Sequence, residues 1–98
     1  MKFLAIQHEI PGVPLEQIMP HLTAETMRLW ELLQADVLRE IYRVKDTFLH
    51  ILVLESATLQ EAQSAINSLP IVANGLTSFE LVALGPYPGF ERLFGQQS

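Results

Sequence analysis

Two runs rich in β-branched and aromatic residues, Val37–Val44 and Phe48–Glu55, flank the short polar step Lys45-Asp46. That pattern predicts a strand, a tight turn and a second strand. The stretch Phe48–Leu54 is apolar enough to be buried on both faces. A two-residue turn at Lys45-Asp46 would pair Arg43 with Phe48, Ile41 with His50 and Arg39 with Leu52. Side chains alternate along a strand, so Arg39, Ile41 and Arg43 share one face, and His50 is expected on that face between the arginines. The opposite face, with Leu38, Tyr42, Val44, Leu49, Ile51 and Val53, is the more apolar and is expected to receive the helices. Glu40 fits there only near a sheet edge.

The rest of the chain punctuates itself. Lys2–Glu9 reads as a first strand stopped by Pro11-Gly12. Leu15–Gln34 follows the helical period, with Leu15, Ile18, Met19, Leu22, Leu29 and Leu33 on one stripe. Pro20 interrupts it, which predicts a kink, or a short piece followed by the main helix from about His21. Thr58-Leu59-Gln60-Glu61 has the form of a capping box, and Leu59, Ala62, Ile66 and Leu69 continue at helical spacing until Pro70 ends the run. Asn74-Gly75 is a turn signal, Thr77–Leu84 a fourth strand and Gly85-Pro86 its stop. The tail, 86–98, carries three aromatics, too many to be left in water. The order is βαββαβ in one domain over 1–98. Right-handed crossovers then give an α+β, ferredoxin-like, four-stranded antiparallel sheet with two helices on one face.

Composition narrows the partners. The chain has 98 residues, a size at which folding hides only roughly 60–65% of the extended surface. Yet 49% of its residues are hydrophobic, so a second copy is expected to cover the bare sheet face in a homodimer or larger homo-oligomer. A formal charge of −5 and only six basic residues argue against nucleic acid. Cysteine is absent. The apolar start, Met1–Ile6, gives way at once to Gln7, His8 and Glu9, too short for a signal peptide or a membrane span. A soluble, cytoplasmic protein is the expectation.

Four residues carry candidate chemistry. Glu25 follows Leu22 by three positions and precedes Leu29 by four, which places a carboxylate inside the helix's apolar arc. Desolvation there would raise its pKa and suit it to proton transfer near neutrality. The plainer alternative is a solvated residue or an ion pair with Arg28. Arg39 and Arg43 could hold a substrate carboxylate, or pair with Glu55, Glu80 or a partner. His50 is a candidate ligand contact, or a hydrogen-bonded interface residue. No histidines or carboxylates have metal-site spacing, and there is no phosphate loop or nucleophile elbow.

These residues carry a family resemblance. From about Phe3 to Pro86 the chain resembles the muconolactone isomerase family, best over Glu25–Arg43 and again at Leu69-Pro70-Ile71. The resemblance implies a ferredoxin-like fold that associates through its sheets into a dimeric α+β barrel. It implies a cofactor-free proton transfer that shifts a double bond in a small carboxylated lactone or related acid. Glu25 would move the proton and Arg39 or Arg43 would hold the substrate's carboxylate. The chain departs from the family pattern at Thr26, in place of a lysine, and at Thr47, in place of a histidine. Those departures favour an alternative, a non-catalytic small-molecule-binding or assembly module of the same superfamily. A related barrel oxygenase acting on polycyclic substrates ranks below both.

Overall fold

The computed structural model describes residues 1–95. Strand β1 spans Lys2–Glu9. Pro20 breaks the following helical run into α1 (Leu15–Ile18), a 3₁₀ turn over Met19–His21 and α2 (Leu22–Gln34). The hairpin is β2 (Leu38–Arg43) and β3 (His50–Glu55). Helix α3 (Leu59–Asn67) begins at Thr58, whose hydroxyl accepts the Glu61 N–H at 3.1 Å. Pro70 opens a further one-turn helix, α4 (Pro70–Ala73), at a position where a missing N–H costs nothing. Strand β4 (Thr77–Leu84) follows.

The strands lie in the order β2-β3-β1-β4, every pair antiparallel, which is the ferredoxin-like arrangement. Phe3 and Ala5 on β1 oppose Leu54 and Leu52 on β3, and all four are fully buried under the helices. Leu32 of α2, Ala62 and Ile66 of α3, and Leu69 complete the core with Leu38. Among the described residues no helix is long and apolar enough to cross a membrane.

Four expectations about side-chain placement change. The hairpin turn has four residues, Lys45–Phe48, rather than two: Val44 N–H donates to the Leu49 carbonyl at 2.8 Å and Arg43 pairs with His50. Asp46, in the left-handed region at φ 64°, and the Thr47 hydroxyl, which donates to the Val44 carbonyl at 2.7 Å, close this longer turn without glycine. A shift of two residues leaves the parity intact, so Arg43 and His50 still share a face.

The face they share is the other one, however. The ladder shifts register between Leu38 and Glu40, a β-bulge at Arg39. Leu38 and Ile41 consequently point to the same side, together with Arg43, His50, Leu52 and Leu54, and this is the side the helices cover. Tyr42, Ile51 and Val53 face outwards instead. Glu40 is on that open face of an edge strand, accepting the Tyr42 hydroxyl at 2.6 Å.

The buried stripe of α2 is rotated as well. Glu25, Leu29 and Leu32 face the sheet, whereas Leu15, Met19, Leu22 and Leu33 of the expected stripe are exposed. Lastly, the aromatics of the tail stay outside the core: Tyr87, Phe90 and Phe94 are exposed. Residues 96–98 of that tail lie outside the described residues.

Because Leu52 has no solvent-accessible surface, Leu52→Ala should cost about 2–5 kcal/mol in chemical denaturation. Tyr42→Ala on the open face of the same hairpin should cost far less in dilute protein. Equal losses would contradict the assignment of faces.

Candidate functional site

The chain path gathers several polar groups at one end of the helix-covered face. There β1 finishes, with Glu9 opposite Thr77 at the start of β4, and there β2 ends and β3 begins with the pair Arg43–His50. Helix α2 sets out from the same end because it must run back along the sheet to reach β2. Glu25, in its first turn, is therefore brought to the end that carries Arg43 and His50, on the same side of the sheet.

Glu25 is 9% exposed. Its Oε1 accepts the Ile71 N–H at 3.0 Å, a donor left free in the first turn of α4. Burial pushes its carboxyl above the usual carboxylate range, and the Ile71 bond and the nearby His21 oppose that only in part. A hydrogen bond to a charged acceptor contributes roughly 1.5–3 kcal/mol, so it offsets but does not cancel the removal of the carboxylate from water. The group is poised to hold or release a proton, and it also caps a helix.

His50 is anchored by a residue the sequence reading passed over. Gln7 Oε1 accepts the His50 backbone N–H at 2.8 Å, and Gln7 Nε2 donates to Thr77 Oγ1 at 3.0 Å. A backbone N–H can only donate, which fixes the orientation of the amide. The His50 Nδ1, 3.1 Å from the same oxygen, must then carry a proton. Partial burial, and after it the charge of Arg43, lower the His50 pKa from 6.5, which favours the neutral ring with its proton on Nδ1. Gln7 had a legible signal: it continues the Phe3, Ala5 alternation, a polar side chain on a face otherwise apolar.

The two arginines part company. Arg43 is exposed across the ladder from His50, with its guanidinium 5.8 Å from the centre of the Phe48 ring. Arg39, on the bulge, donates from Nε to the Asp36 carbonyl at 2.8 Å and lies near Glu55, at the opposite end of the sheet. Arg43 and His50 are thus paired across the ladder, Glu25 lies in the helix layer over that side of the sheet, and Arg39 is at the other end. Two shallow concavities of the surface lie elsewhere: one on the outer side of α2, the other bordered by Arg28, Glu55 and Glu61. Both threonines at the family's variant positions use their hydroxyls locally, Thr26 on the Leu22 carbonyl at 3.0 Å and Thr47 on Val44.

An antiparallel ferredoxin-like sheet with helices on one face defines the class, a small α+β fold with an acid, an imidazole and a guanidinium on its helix-covered side. Two solved structures share the fold. One is 5-chloro-2-hydroxyhydroquinone dehydrochlorinase from Burkholderia phenoliruptrix in complex with 2,5-dihydroxybenzoquinone, at TM-score 0.72 and 19% identity, covering 91% of this chain and 98% of that one. The other is muconolactone isomerase, at TM-score 0.72 and 14% identity, covering 90% and 92% respectively. At such identities the likeness is one of fold. No protein-family model and no curated protein sequence matches the chain.

Two titrations check this region. The His50 imidazole should titrate below 6.5 by NMR, and Arg43→Gln should move it upward, because the opposing charge is lost. For Glu25 the raised folded pKa favours the protonated fold, a contribution present below the ordinary value of 4.5 and lost as pH rises through the folded value. Glu25→Gln keeps an acceptor for Ile71 without the charge, so its Tm relative to the parent should climb as pH goes from 4 to 7. Glu25→Ala, which leaves the N–H unpaired, should instead cost about 1–3 kcal/mol.

Proposed function

We propose that this protein is a muconolactone isomerase-like enzyme that moves a proton within a small carboxylated lactone or a related acid. What supports the reading is that Glu25, with a carboxyl that burial holds above its ordinary pKa, belongs to the helix layer on the side of the sheet to which Arg43 and His50 turn. In this reading Glu25, ionised, takes a proton from the carbon next to the lactone carbonyl. The electron pair shifts into the new double bond, and the same carboxyl returns the proton at the far carbon of the displaced one. No atom is gained or lost, and side chains suffice as carriers. Arg43 supplies the planar fork that suits a substrate carboxylate. The unprotonated Nε2 of His50 can accept a hydrogen bond from a substrate hydroxyl. Arg39, expected beside Arg43 as an anion anchor, has no such part here.

The bare sheet face belongs to the same reading. Leu4, Ile6, Ile51, Val53 and Val82 lie on it, half-buried and without a covering layer, beside the exposed Tyr42. A second copy packed sheet to sheet would cover them and close the dimeric α+β barrel, in the cytoplasm, the compartment expected of such an enzyme.

One set of observations favours the alternative, a non-catalytic binding or assembly module. The Glu25 carboxylate is occupied as a helix cap, and the Thr26 and Thr47 hydroxyls are bonded to backbone. A thermal-shift screen against small lactones, dicarboxylic acids and 2,5-dihydroxybenzoquinone, followed by proton NMR in deuterium oxide, separates the two. Solvent deuterium should enter a bound lactone, Glu25→Gln should abolish that entry with the fold intact, and Arg43→Ala should raise KM where Arg39→Ala does not. Ligand binding without exchange would assign the module instead.

A further inference from the structure

The chain has two asparagines, Asn67 and Asn74, and only the second precedes a glycine. Such a pair sets an electrophile beside a nucleophile. The Asn74 amide carbon Cγ is one ring closure away from the Gly75 backbone nitrogen, and glycine has no Cβ to hinder the approach. Both residues are exposed, so water reaches them. The folded chain nevertheless holds the two groups apart. Asn74 ends α4 at φ −90° and ψ 7°, and the five-membered ring closes only after ψ rotates far from that value. The Asn74 Nδ2 donates to the Pro70 carbonyl at 2.7 Å. The Gly75 N–H donates to the Val72 carbonyl at 2.9 Å and the Leu76 N–H to the Ile71 carbonyl at 2.9 Å. These are the paired bonds of a Schellman cap, with Gly75 left-handed at φ 71°.

A helix of four residues does not hold itself in water. The anchors of α4 are the buried Leu69 and Ile71 side chains and the bond from the Ile71 N–H to Glu25 of α2. Ile71 thus gives its N–H to Glu25 and its carbonyl to the cap around Gly75. A break at Glu25 loosens the turn that restrains Asn74, and local openings of this size precede global unfolding.

We propose that Asn74 is a site of spontaneous, one-way deamidation, with α4 as its gate and the Glu25–Ile71 bond as the latch. When α4 opens, hydroxide takes the Gly75 N–H proton and the nitrogen attacks Cγ. The new C–N bond forms, the Cγ–Nδ2 bond breaks, and Nδ2 leaves as ammonia with a proton from water. Water then opens the cyclic imide. Attack at Cγ gives aspartate; attack at the Asn74 main-chain carbonyl gives isoaspartate, whose backbone runs through Cβ and Cγ. Ammonia is exchanged for water and nothing is oxidised. Either product sets a carboxylate at the C-terminal end of α4, where the backbone carbonyls already carry negative charge, and removes the donor to Pro70. Isoaspartate also lengthens the main chain inside the cap. The segment no longer recloses as before, and the Ile71 N–H is released from Glu25. The site is independent of any role of Glu25 in lactone chemistry.

The test incubates the full-length protein at neutral pH and follows each asparagine by peptide mass spectrometry, which separates aspartyl from isoaspartyl forms. Asn74 should deamidate in the folded parent, severalfold more slowly than in urea. Asn67, inside α3 and followed by serine, should stay intact in the same folded sample. Glu25→Ala should raise the Asn74 rate severalfold, whereas Glu25→Gln, which keeps an acceptor for Ile71, should stay near the parent. Leu52→Ala weakens the core as a whole and should change the rate far less than Glu25→Ala. In Asn74→Asp, hydrogen exchange at the Ile71 amide should quicken severalfold while the β3 amides keep their protection. An Asn74 that stays intact in the folded parent, or reacts there as fast as in urea, would overturn the proposal. So would a rate indifferent to Glu25→Ala, an equal acceleration by Leu52→Ala, or an Ile71 amide unchanged in Asn74→Asp.

Discussion

The apolar ladder Phe3–Leu54 and Ala5–Leu52 decides which side of the sheet the helices occupy, and nearly everything else follows from that choice. These side chains leave water completely, and each fully buried large one contributes on the order of 1.5–3 kcal/mol. With period two fixed at the centre of the sheet, Gln7 and His50 fall on the covered side and Leu4, Ile6, Ile51 and Val53 on the bare side. The edge strand must obey the same choice. It does so by inserting Arg39 as a bulge, which lets Leu38 enter the core while Ile41 and Arg43 keep the parity of Leu52 and His50.

Polar groups survive on the covered side because each is answered. Gln7 joins three strands through His50 and Thr77, and the Ile71 N–H meets Glu25 where a bare helix start would otherwise stay unsatisfied. The bond that caps α4 is thus made by a carboxyl that burial holds above its ordinary pKa, so the protonation state of Glu25 and the stability of the segment before β4 are linked.

Much of the fold was legible from residues. Pro20, the Thr58–Glu61 cap and the Asn74-Gly75 turn placed the elements, and the βαββαβ order led to the sheet. Glu25 was legible as a carboxylate in an apolar arc, though the arc that is buried runs through Leu29 and Leu32 rather than Leu22 and Leu33. Helix α2 is apolar on two sides, and periodicity alone cannot choose between a face that meets its own sheet and a face left open.

Local sequence therefore determined the elements, their order and the presence of an acid in a helix and bases in a hairpin, because propensity, capping and proline sterics act over a few residues. Tertiary structure alone decided that the turn takes four residues, that Arg39 bulges, and that Arg43 with His50 turns to the side of Glu25 while Arg39 does not. The reason is parity. One inserted residue reverses every side chain beyond it, and only the packing of the whole sheet against its helices determines where that residue goes.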